Sequence, residues 1–235
     1  MPHHLPDRLL LASASPRRRE MLARFGAAVQ CMPADLDDAS LHPRGAAPLP
    51  WAASMAWFKA ARVAWLLRRD HGSAPDAAPI VAADTVCDLD GAILGKPADA
   101  ASCRAMLEGF TGRAHLVHTG VCLLAVDARG HPRRRLIATD SAVVHLGPLS
   151  AAAIDAYVAS GAWAGKAGGY NFSERVEAGW PLRCEGDPTT VMGLPMRRLA
   201  GWLAALDALG GPGVTGRPPA PGDAATCGEV ACGCC

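Results

Sequence analysis

Short apolar runs alternate along the chain with longer segments whose apolar residues recur at helical spacing. The short runs predict strands, because they are too short for stable helices and are bounded by polar or glycine-containing segments. The predicted strands are Leu9–Ala12, Ile80–Ala83, Val86–Leu89, Ala92–Leu94, Val117–Ala125 and Ala138–His145. Asp90 and Gly91 separate two of these runs and form the dipeptide favoured in a tight hairpin turn.

The longer segments predict helices that connect these strands. The predicted helices cover about Pro16–Phe25, Trp51–Arg69, Ala100–Glu108, Ser150–Ser160 and Leu194–Leu209. The first helix carries clear end signals: Ser15 and Pro16 suit its start, and Gly26 suits its end. Because strands alternate with helices, we expect an α/β fold with a mixed central sheet and flanking helices.

Composition divides the chain into one folded unit and a tail. Of 235 residues, 50% are hydrophobic, which suffices for one domain with a sizeable core over residues 1–209. Residues 210–235 are rich in Gly, Pro and Ala, so we expect a disordered tail there. Four of the nine cysteines crowd into this tail, where a metal or redox role stays open. The other five stand singly and are expected to be small buried hydrophobes.

The charge balance limits the classes of partner. A formal net charge of +1 argues against a general nucleic-acid binder or a membrane-surface binder. No apolar run approaches the roughly 20 residues that a membrane-spanning helix needs. The first residues, "MPHHLPDR", contain no long apolar stretch of the kind found in a secretory signal. We therefore expect a cytoplasmic protein with neither a nucleic acid nor a membrane as partner.

The stretch "LLLASASPRRREML" over residues 9–22 predicts an anion site. A strand that ends in a serine-rich turn and leads into a helix presents unpaired backbone N–H groups to an anion. The hydroxyls of Ser13 and Ser15 add donors, and the guanidinium groups of Arg17 and Arg18 match phosphate oxygens. A solvated basic first turn, or phosphorylation at the Ser-Pro pair, is the alternative.

Lysine is rare in this chain. Of 23 lysine and arginine residues, only Lys59, Lys96 and Lys166 are lysines. The chain otherwise uses arginine, so each lysine marks a position where a compact ammonium is needed, for example against a phosphate. Chance is the alternative, and it weakens because Lys96 and Lys166 lie in the glycine-containing stretches "GKP" and "GKAGGYN".

Asp84 is the candidate for acid–base or metal chemistry. It follows the apolar run Ile80–Ala83, and catalytic groups of α/β sheets are often found where a strand gives way to a loop. A capping role in a turn is the alternative. The predicted hairpin register places Thr85 opposite Lys96, and a bulge at Gly95 would bring Lys96 beside Asp84.

Six stretches in order carry a resemblance to a known family. They are "LASASPRRREML", "AADTV", "GAILGKP", "TGRAHLVHTGV", "KAGGY" and "VMGLP". Together they cover roughly residues 8–205 and resemble the Maf family, whose members are nucleoside triphosphate pyrophosphatases. The resemblance implies a mixed α/β fold with a substrate cleft between two lobes, a divalent metal such as Mg²⁺ or Mn²⁺ and, in many members, a homodimer.

The resemblance also implies roles for single residues. Asp84 would be the general base or a ligand of the activating metal, and these two roles stay open. Asp37 or Asp38, in "ADLDD", occupies the position of an acidic pair that helps to hold the metal. The residues that would surround the triphosphate are Ser13, Arg17, Arg18, Lys59, Lys96 and Lys166.

Base specificity is the point where the chain departs from the family pattern. One subgroup acts on dTTP and UTP, another on 7-methyl-GTP. Arg17 and Thr85 resemble the dTTP/UTP subgroup. Ser173 stands where that subgroup has a glutamine, and a hydroxyl cannot reproduce the paired donor and acceptor of a carboxamide. Both subgroups therefore stay open, with pyrimidine nucleotides favoured.

A different class of function is also open. The chain would then be a non-catalytic nucleotide-binding regulator or interaction protein, acting through a partner, for example at cell division. The presence of Asp84 together with all three lysines favours the enzyme.

Overall fold

One mixed sheet organises the molecule. A computed structural model describes residues 6–36, 43, 45–71 and 78–205. The strands in these ranges are β1 (Arg8–Leu11), β2 (Ala28–Cys31), β3 (Ile80–Leu89), β4 (Ala92–Leu94), β5 (Arg113–Val126), β6 (Pro132–Leu146) and β7 (Leu182–Glu185). Their order is β2-β1-β3-β5-β6-β7, and β4 pairs with β3. The contacts of β1 with β2 and β3 are parallel and all others antiparallel, so the expected mixed α/β fold is confirmed.

Helices cover both faces of the sheet. They are α1 (Pro16–Ala23), α2 (Pro48–His71), α3 (Ala100–Phe110), α4 (Ala151–Ala159), α5 (Phe172–Glu177), α6 (Pro188–Val191) and α7 (Met196–Ala205). The predicted serine caps are confirmed, since the side chain of Ser15 accepts from the backbone N–H of Arg18 and that of Ser150 from Ala153. None of the described helices combines the length and the hydrophobicity of a membrane-spanning segment.

The predicted break in the sheet at Asp84 is wrong. The two predicted runs Ile80–Ala83 and Val86–Leu89 form one continuous strand, β3, so Asp84 lies in the middle of a strand and not at its end. The reason is β5, which pairs with β3 residue by residue from Ile80 to Asp88 and so keeps the strand continuous through Asp84.

The predicted hairpin turn is confirmed, but its predicted extension is wrong. Leu89 pairs with Ala92, and Asp90 and Gly91 both have positive φ, at 56° and 84°, as a type I′ turn requires. The ladder between β3 and β4 ends at the pair of Cys87 and Leu94. The expected pairing of Thr85 with Lys96 therefore does not form, and Thr85 pairs with Thr119 of β5.

Four short elements escaped prediction. They are β2, α5, α6 and β7, whose sequences AVQC, FSERVE, PTTV and LRCE are too short to show a period of two or 3.6 residues. The predicted helix to Leu209 is described only as far as Ala205. The predicted tail over residues 210–235 lies outside the described residues, together with its four cysteines.

The core consists of three apolar clusters. Helix α2 packs on one face of the sheet, where Ala60 and Val63 meet Ile80 and Ala82. The opposite face carries two clusters at different places along the strands. At one end, α1 and α7 cover Val81 and its neighbours, and at the other end α3 and α4 cover a cluster that includes Cys87 and Val117. The second face is therefore divided into two lobes.

The five single cysteines follow the expectation only in part. Cys87, Cys103 and Cys122 are buried, and burial raises the pKa of the Cys87 and Cys122 thiols to about 12. Cys184 is half-buried, whereas Cys31 on the edge strand β2 is exposed. The prediction of a buried side chain is wrong for Cys31, because β2 is poorly covered and three of its four residues are exposed.

Gly120 allows α2 to lie directly on the sheet. A Cβ atom at this position would be 2.1 Å from the backbone oxygen of Ala52 in α2. We predict that Gly120→Ala lowers the free energy of unfolding by about 1–3 kcal/mol, because α2 must move away from β5. Gly201→Ala is the control, since a methyl group there meets nothing within 4 Å on an exposed part of α7. Thermal unfolding of both variants measures the difference, and equal melting temperatures would contradict the close contact.

Candidate functional site

A cleft of about 580 Å³ opens where the sheet is interrupted beside β3. On one edge of β3, β1 pairs only at Ile80 and Val81, and β4 begins to pair only at Cys87. Between these points, no strand of the described chain covers that edge. Consecutive residues of a strand point to opposite faces, so the interruption lets both Asp84 and Thr85 line the cleft. The volume suits a small-molecule ligand.

The predicted site residues converge on this cleft from five parts of the chain. Those that line it are Ser13, Arg17, Arg18, Lys59, Asp84, Thr85, Lys96 and Lys166. All three lysines of the chain are therefore in one place, which is improbable for residues retained by chance. A cleft with this surplus of cations attracts an anionic ligand.

Asp84 and Lys59 form an ion pair at the base of the cleft. Helix α2 directs Lys59 Nζ to within 2.6 Å of Asp84 Oδ1. The two side chains are only 11% and 15% exposed, so solvent screens their attraction less than at the surface. The pair fixes the orientation of the Asp84 carboxylate.

Arg18 lines the cleft and also makes three hydrogen bonds within the protein. Its Nε donates to the backbone oxygen of Gly193 at 2.7 Å, its second terminal nitrogen to Thr85 Oγ1 at 3.0 Å and its first to Ser13 Oγ at 3.3 Å. These contacts differ from the expected bidentate fork for phosphate, because three donor atoms are already engaged. Arg18 joins α1 to β3 and to the segment that precedes α7.

A buried chain of hydroxyl groups continues from Arg18 into the sheet. Thr119 Oγ1 donates to the backbone oxygen of Thr190 at 2.7 Å. Thr119 has one hydroxyl proton, so in the 2.8 Å contact between the two threonines Thr85 is the donor. Thr85 in turn accepts from Arg18. The hydroxyls of Thr85 and Thr119 are therefore each both donor and acceptor, and they link Arg18 to the backbone of Thr190.

The loop that carries Lys166 is held against the loop that carries Lys96. The backbone N–H of Gly168 donates to the oxygen of Gly95 at 2.9 Å, and Tyr157 donates its hydroxyl to the oxygen of Gly169 at 3.1 Å. Gly168 has a φ of +68°, and a Cβ there would be 2.6 Å from Cys87 Sγ. Only glycine fits this position, because both the conformation and the space exclude a side chain.

Tyr170 anchors the end of the same loop. Its hydroxyl lies 2.9 Å from His115 Nε2, and its ring lines the cleft. Burial, helped by the charge of His145, lowers the pKa of His115 to about 4, so this ring is neutral at pH 7. Burial also raises the pKa of the Tyr170 hydroxyl well above its usual range. The two groups therefore form a neutral hydrogen bond that positions the loop without adding charge to the cleft.

Glu174 is a residue of the site that the sequence reasoning missed. Lys166 Nζ donates to Glu174 Oε2, and Asn171 Nδ2 donates to Glu174 Oε1 at 2.5 Å. A signal was present, because Asn171 followed three residues later by Glu174 is the pattern of a helix start. Partial burial acts to raise the pKa of Glu174, but the hydrogen bond and charge of Lys166, with Asn171 and Arg17, outweigh it and leave the pKa below its ordinary value.

The remaining predicted site residues are Ser173 and the acidic residues Asp37 and Asp38. Ser173 is not among the residues that line it, and its hydroxyl lies 3.1 Å from Met192 Sδ. Asp37 and the alternative Asp38 lie outside the described residues. Within the described ranges, Asp35 is a second carboxylate that lines the cleft, with a φ of 47°.

The carboxylates of the cleft suit a metal ion that binds together with a phosphate-containing molecule. No cluster of three or more His, Cys, Asp or Glu side chains suited to a metal occurs in the described part of the chain. Asp35 and Asp84 line the same cleft. Mg²⁺ is commonly held by one or two carboxylates plus phosphate oxygens of a substrate, and these two residues fit that mode of binding.

Comparison with known proteins finds similar sequences over most of the chain. The family described as "Maf-like protein" matches residues 8–206. A dTTP/UTP pyrophosphatase of Anaeromyxobacter sp. (strain Fw109-5) is 39% identical over 220 residues, which are 90% of this chain and 98% of the relative. Another, of Salinibacter ruber, is 41% identical over 197 residues, 84% of this chain and 90% of the relative. A third, of Sphingopyxis alaskensis, is 41% identical over 203 residues, 84% of this chain and 96% of the relative.

The threonine chain generates a test of the cleft wall. We predict that Thr119→Val lowers the free energy of unfolding by about 1–3 kcal/mol, because it leaves the Thr190 oxygen and the Thr85 hydroxyl without their partner. For a chain of this size, that loss corresponds to a fall of roughly 2–12 °C in melting temperature. Thr119→Ser keeps the hydroxyl and is the control. A serine variant that is less stable than the valine variant would contradict the role of the hydroxyl.

Proposed function

This chain belongs to the Maf-like protein family, and we propose that it hydrolyses nucleoside triphosphates to the monophosphate and pyrophosphate. The observation that carries the proposal is an ion-paired carboxylate, Asp84, in a cleft that also receives every lysine of the chain. The similar proteins named dTTP/UTP pyrophosphatase support the same reaction. Its role would be the removal of unwanted nucleotides from the nucleotide pool.

The cations of the cleft match the charge of a triphosphate. Lys96 and Lys166 lie on two loops that are hydrogen-bonded to each other, and Arg17 comes from the first turn of α1. Together with Lys59 they supply four positive charges from different directions. In phosphoryl transfer, catalysis comes mainly from positioning the phosphates and neutralising the charge that develops on their oxygens.

Asp84 is proposed as the group that receives the proton of the attacking water. The water oxygen forms a bond to the α-phosphorus, the bond from this phosphorus to the bridging oxygen breaks, and pyrophosphate leaves. Asp84 accepts the proton at its carboxylate, while Lys59 holds that carboxylate in place. Asp84 and Asp35 would hold the divalent metal, which when bound neutralises charge on the triphosphate oxygens.

The base is proposed to bind against apolar side chains. Phe172, Val191 and Met192 line the cleft. They pack against the apolar clusters on the face of the sheet to which Thr85 points. The amide that the resemblance led us to expect is missing, and Ser173 contacts Met192 instead. We propose dTTP and UTP as substrates by analogy with the relatives, with the base selected by packing more than by hydrogen bonds. The expected homodimer and cytoplasmic location stay predictions.

The central test is Asp84→Asn. The amide is nearly isosteric with the carboxylate but accepts no proton, so we predict a fall in kcat of at least about 100-fold, within the range for loss of a general base. Release of pyrophosphate from dTTP, UTP, CTP, GTP and 7-methyl-GTP, with Mg²⁺ or Mn²⁺, measures the effect and identifies the preferred base.

Asp155→Asn is the matched control, because the Asp155 carboxylate lies at the surface in a pair with Arg104 and should leave kcat unchanged. Activity of Asp84→Asn within about tenfold of wild type, a barrier change of only about 1.4 kcal/mol, would exclude Asp84 as the base. Pyrophosphate release from none of the five nucleotides would favour the non-catalytic regulator.

Lys96 tests the argument from the rarity of lysine. Lys96→Arg keeps the charge, but the planar guanidinium is broader than an ammonium and should displace the phosphate that it contacts. Because a misplacement of about 1 Å can cost on the order of 100-fold in rate, we predict a clear loss in kcat/KM with an unchanged melting temperature. Lys96→Ala sets the level for complete loss of the contact. Full activity of the arginine variant would show that any cation suffices at this exposed position.

A further inference from the structure

Glu174 forms an ion pair with Lys166, a cation that the proposed reaction needs. Lys166 lines the cleft, yet its ammonium is hydrogen-bonded to Glu174, whose carboxylate does not line the cleft. Arg17, a second cation of the cleft, acts on the same carboxylate through its charge. A single negative charge therefore offsets part of the positive charge that faces the ligand.

The carboxylate is held in place and is not a loose surface group. Asn171 caps α5, with its Oδ1 accepting from the backbone N–H of Ser173 at 3.1 Å. The amide nitrogen of Asn171 holds one oxygen of Glu174, and Lys166 takes the other. Asn171 is buried, so this arrangement is fixed from inside the protein. Any phosphate that binds Lys166 must compete with a positioned carboxylate.

We propose that Glu174 is a built-in competitor for phosphate, which pairs with Lys166 and must release it when a phosphate group binds. This inference rests on the proposed function, because it assigns Lys166 to a phosphate of the substrate or of a product. Glu174 thereby raises the KM for the triphosphate and speeds the release of products. Weaker binding that affects substrate and transition state equally raises KM and leaves kcat unchanged.

Glu174→Gln tests the proposal. The amide keeps the size of the side chain and leaves an oxygen to accept from Lys166, but it removes the charge that competes with phosphate. We expect the KM for the triphosphate to fall about 2- to 5-fold, as for loss of one partly exposed ion pair. The Kd of pyrophosphate, of the nucleoside monophosphate, or of both should fall by a similar factor in calorimetry, and kcat should not rise.

The sign of the change separates this role from a purely structural one. If Glu174 only positions Lys166 for the substrate, Glu174→Gln will raise the KM, and this result would overturn the proposal. Unchanged Kd values for both products would overturn it as well. Glu177→Gln is the matched control, because it removes the same charge from an exposed position on the same helix, and it should change neither KM nor the Kd values.

The calorimetric measurement also separates this inference from the reaction itself. Pyrophosphate and the monophosphate bind without being hydrolysed, so their Kd values can be compared in wild type and variant whatever the activity. Tighter binding to Glu174→Gln in a protein that hydrolyses no triphosphate would support the competitor role and overturn the proposed reaction. Hydrolysis of triphosphates by wild type, together with unchanged Kd values in Glu174→Gln, would support the proposed reaction and overturn the competitor role.

Discussion

Strand β3 is paired by β5 along the whole of one edge, but on its other edge it has no neighbouring strand between Val81 and Cys87 within the described chain. The cleft depends on this asymmetry. Continuous pairing with β5 keeps the strand rigid, and the interruption on the other side opens both faces of the sheet to one ligand. Asp84 and Thr85 are adjacent in the chain and point to opposite faces, yet both line the cleft. A carboxylate and a buried hydroxyl network thus serve one site from opposite sides of one strand.

Each face of β3 is then tied to the helix that covers it. On the face of α2, the tie is the ion pair between Lys59 and Asp84. On the opposite face, Arg18 of α1 contacts Thr85, and the hydroxyl chain continues through Thr119 to α6. Buried polar groups are costly when they lose a partner, so each tie resists movement of the helix that carries it. The residues that make the two ties, Lys59 with Asp84 and Arg18 with Thr85, all line the cleft.

Repulsion among the three lysines of the cleft is a second constraint on the site. Lys59 and Lys166 each have a carboxylate partner, Asp84 and Glu174, whereas Lys96 is exposed at the mouth of the cleft. The paired lysines limit repulsion among cations in a confined space. The negative charge of a triphosphate would suffice to bind all three lysines. In the proposed reaction Asp84 is the base, and Glu174 competes with the triphosphate for Lys166.

The sequence by itself determined what depends on neighbours within a few residues: the serine caps of α1 and α4, the turn at Asp90 and Gly91, and the ordered motifs that identify the family. It also indicated Asp84 and the three lysines, because their chemistry is readable from residue type. Tertiary structure decided the rest. Only pairing with β5 shows that Asp84 lies within a strand, only a contact across 175 residues turns Arg18 toward Gly193, and only the fold of α5 directs Glu174 to Lys166 and Ser173 to Met192. Capping and turn signals act locally, whereas strand pairing and side-chain contacts join distant segments whose meeting no local pattern encodes.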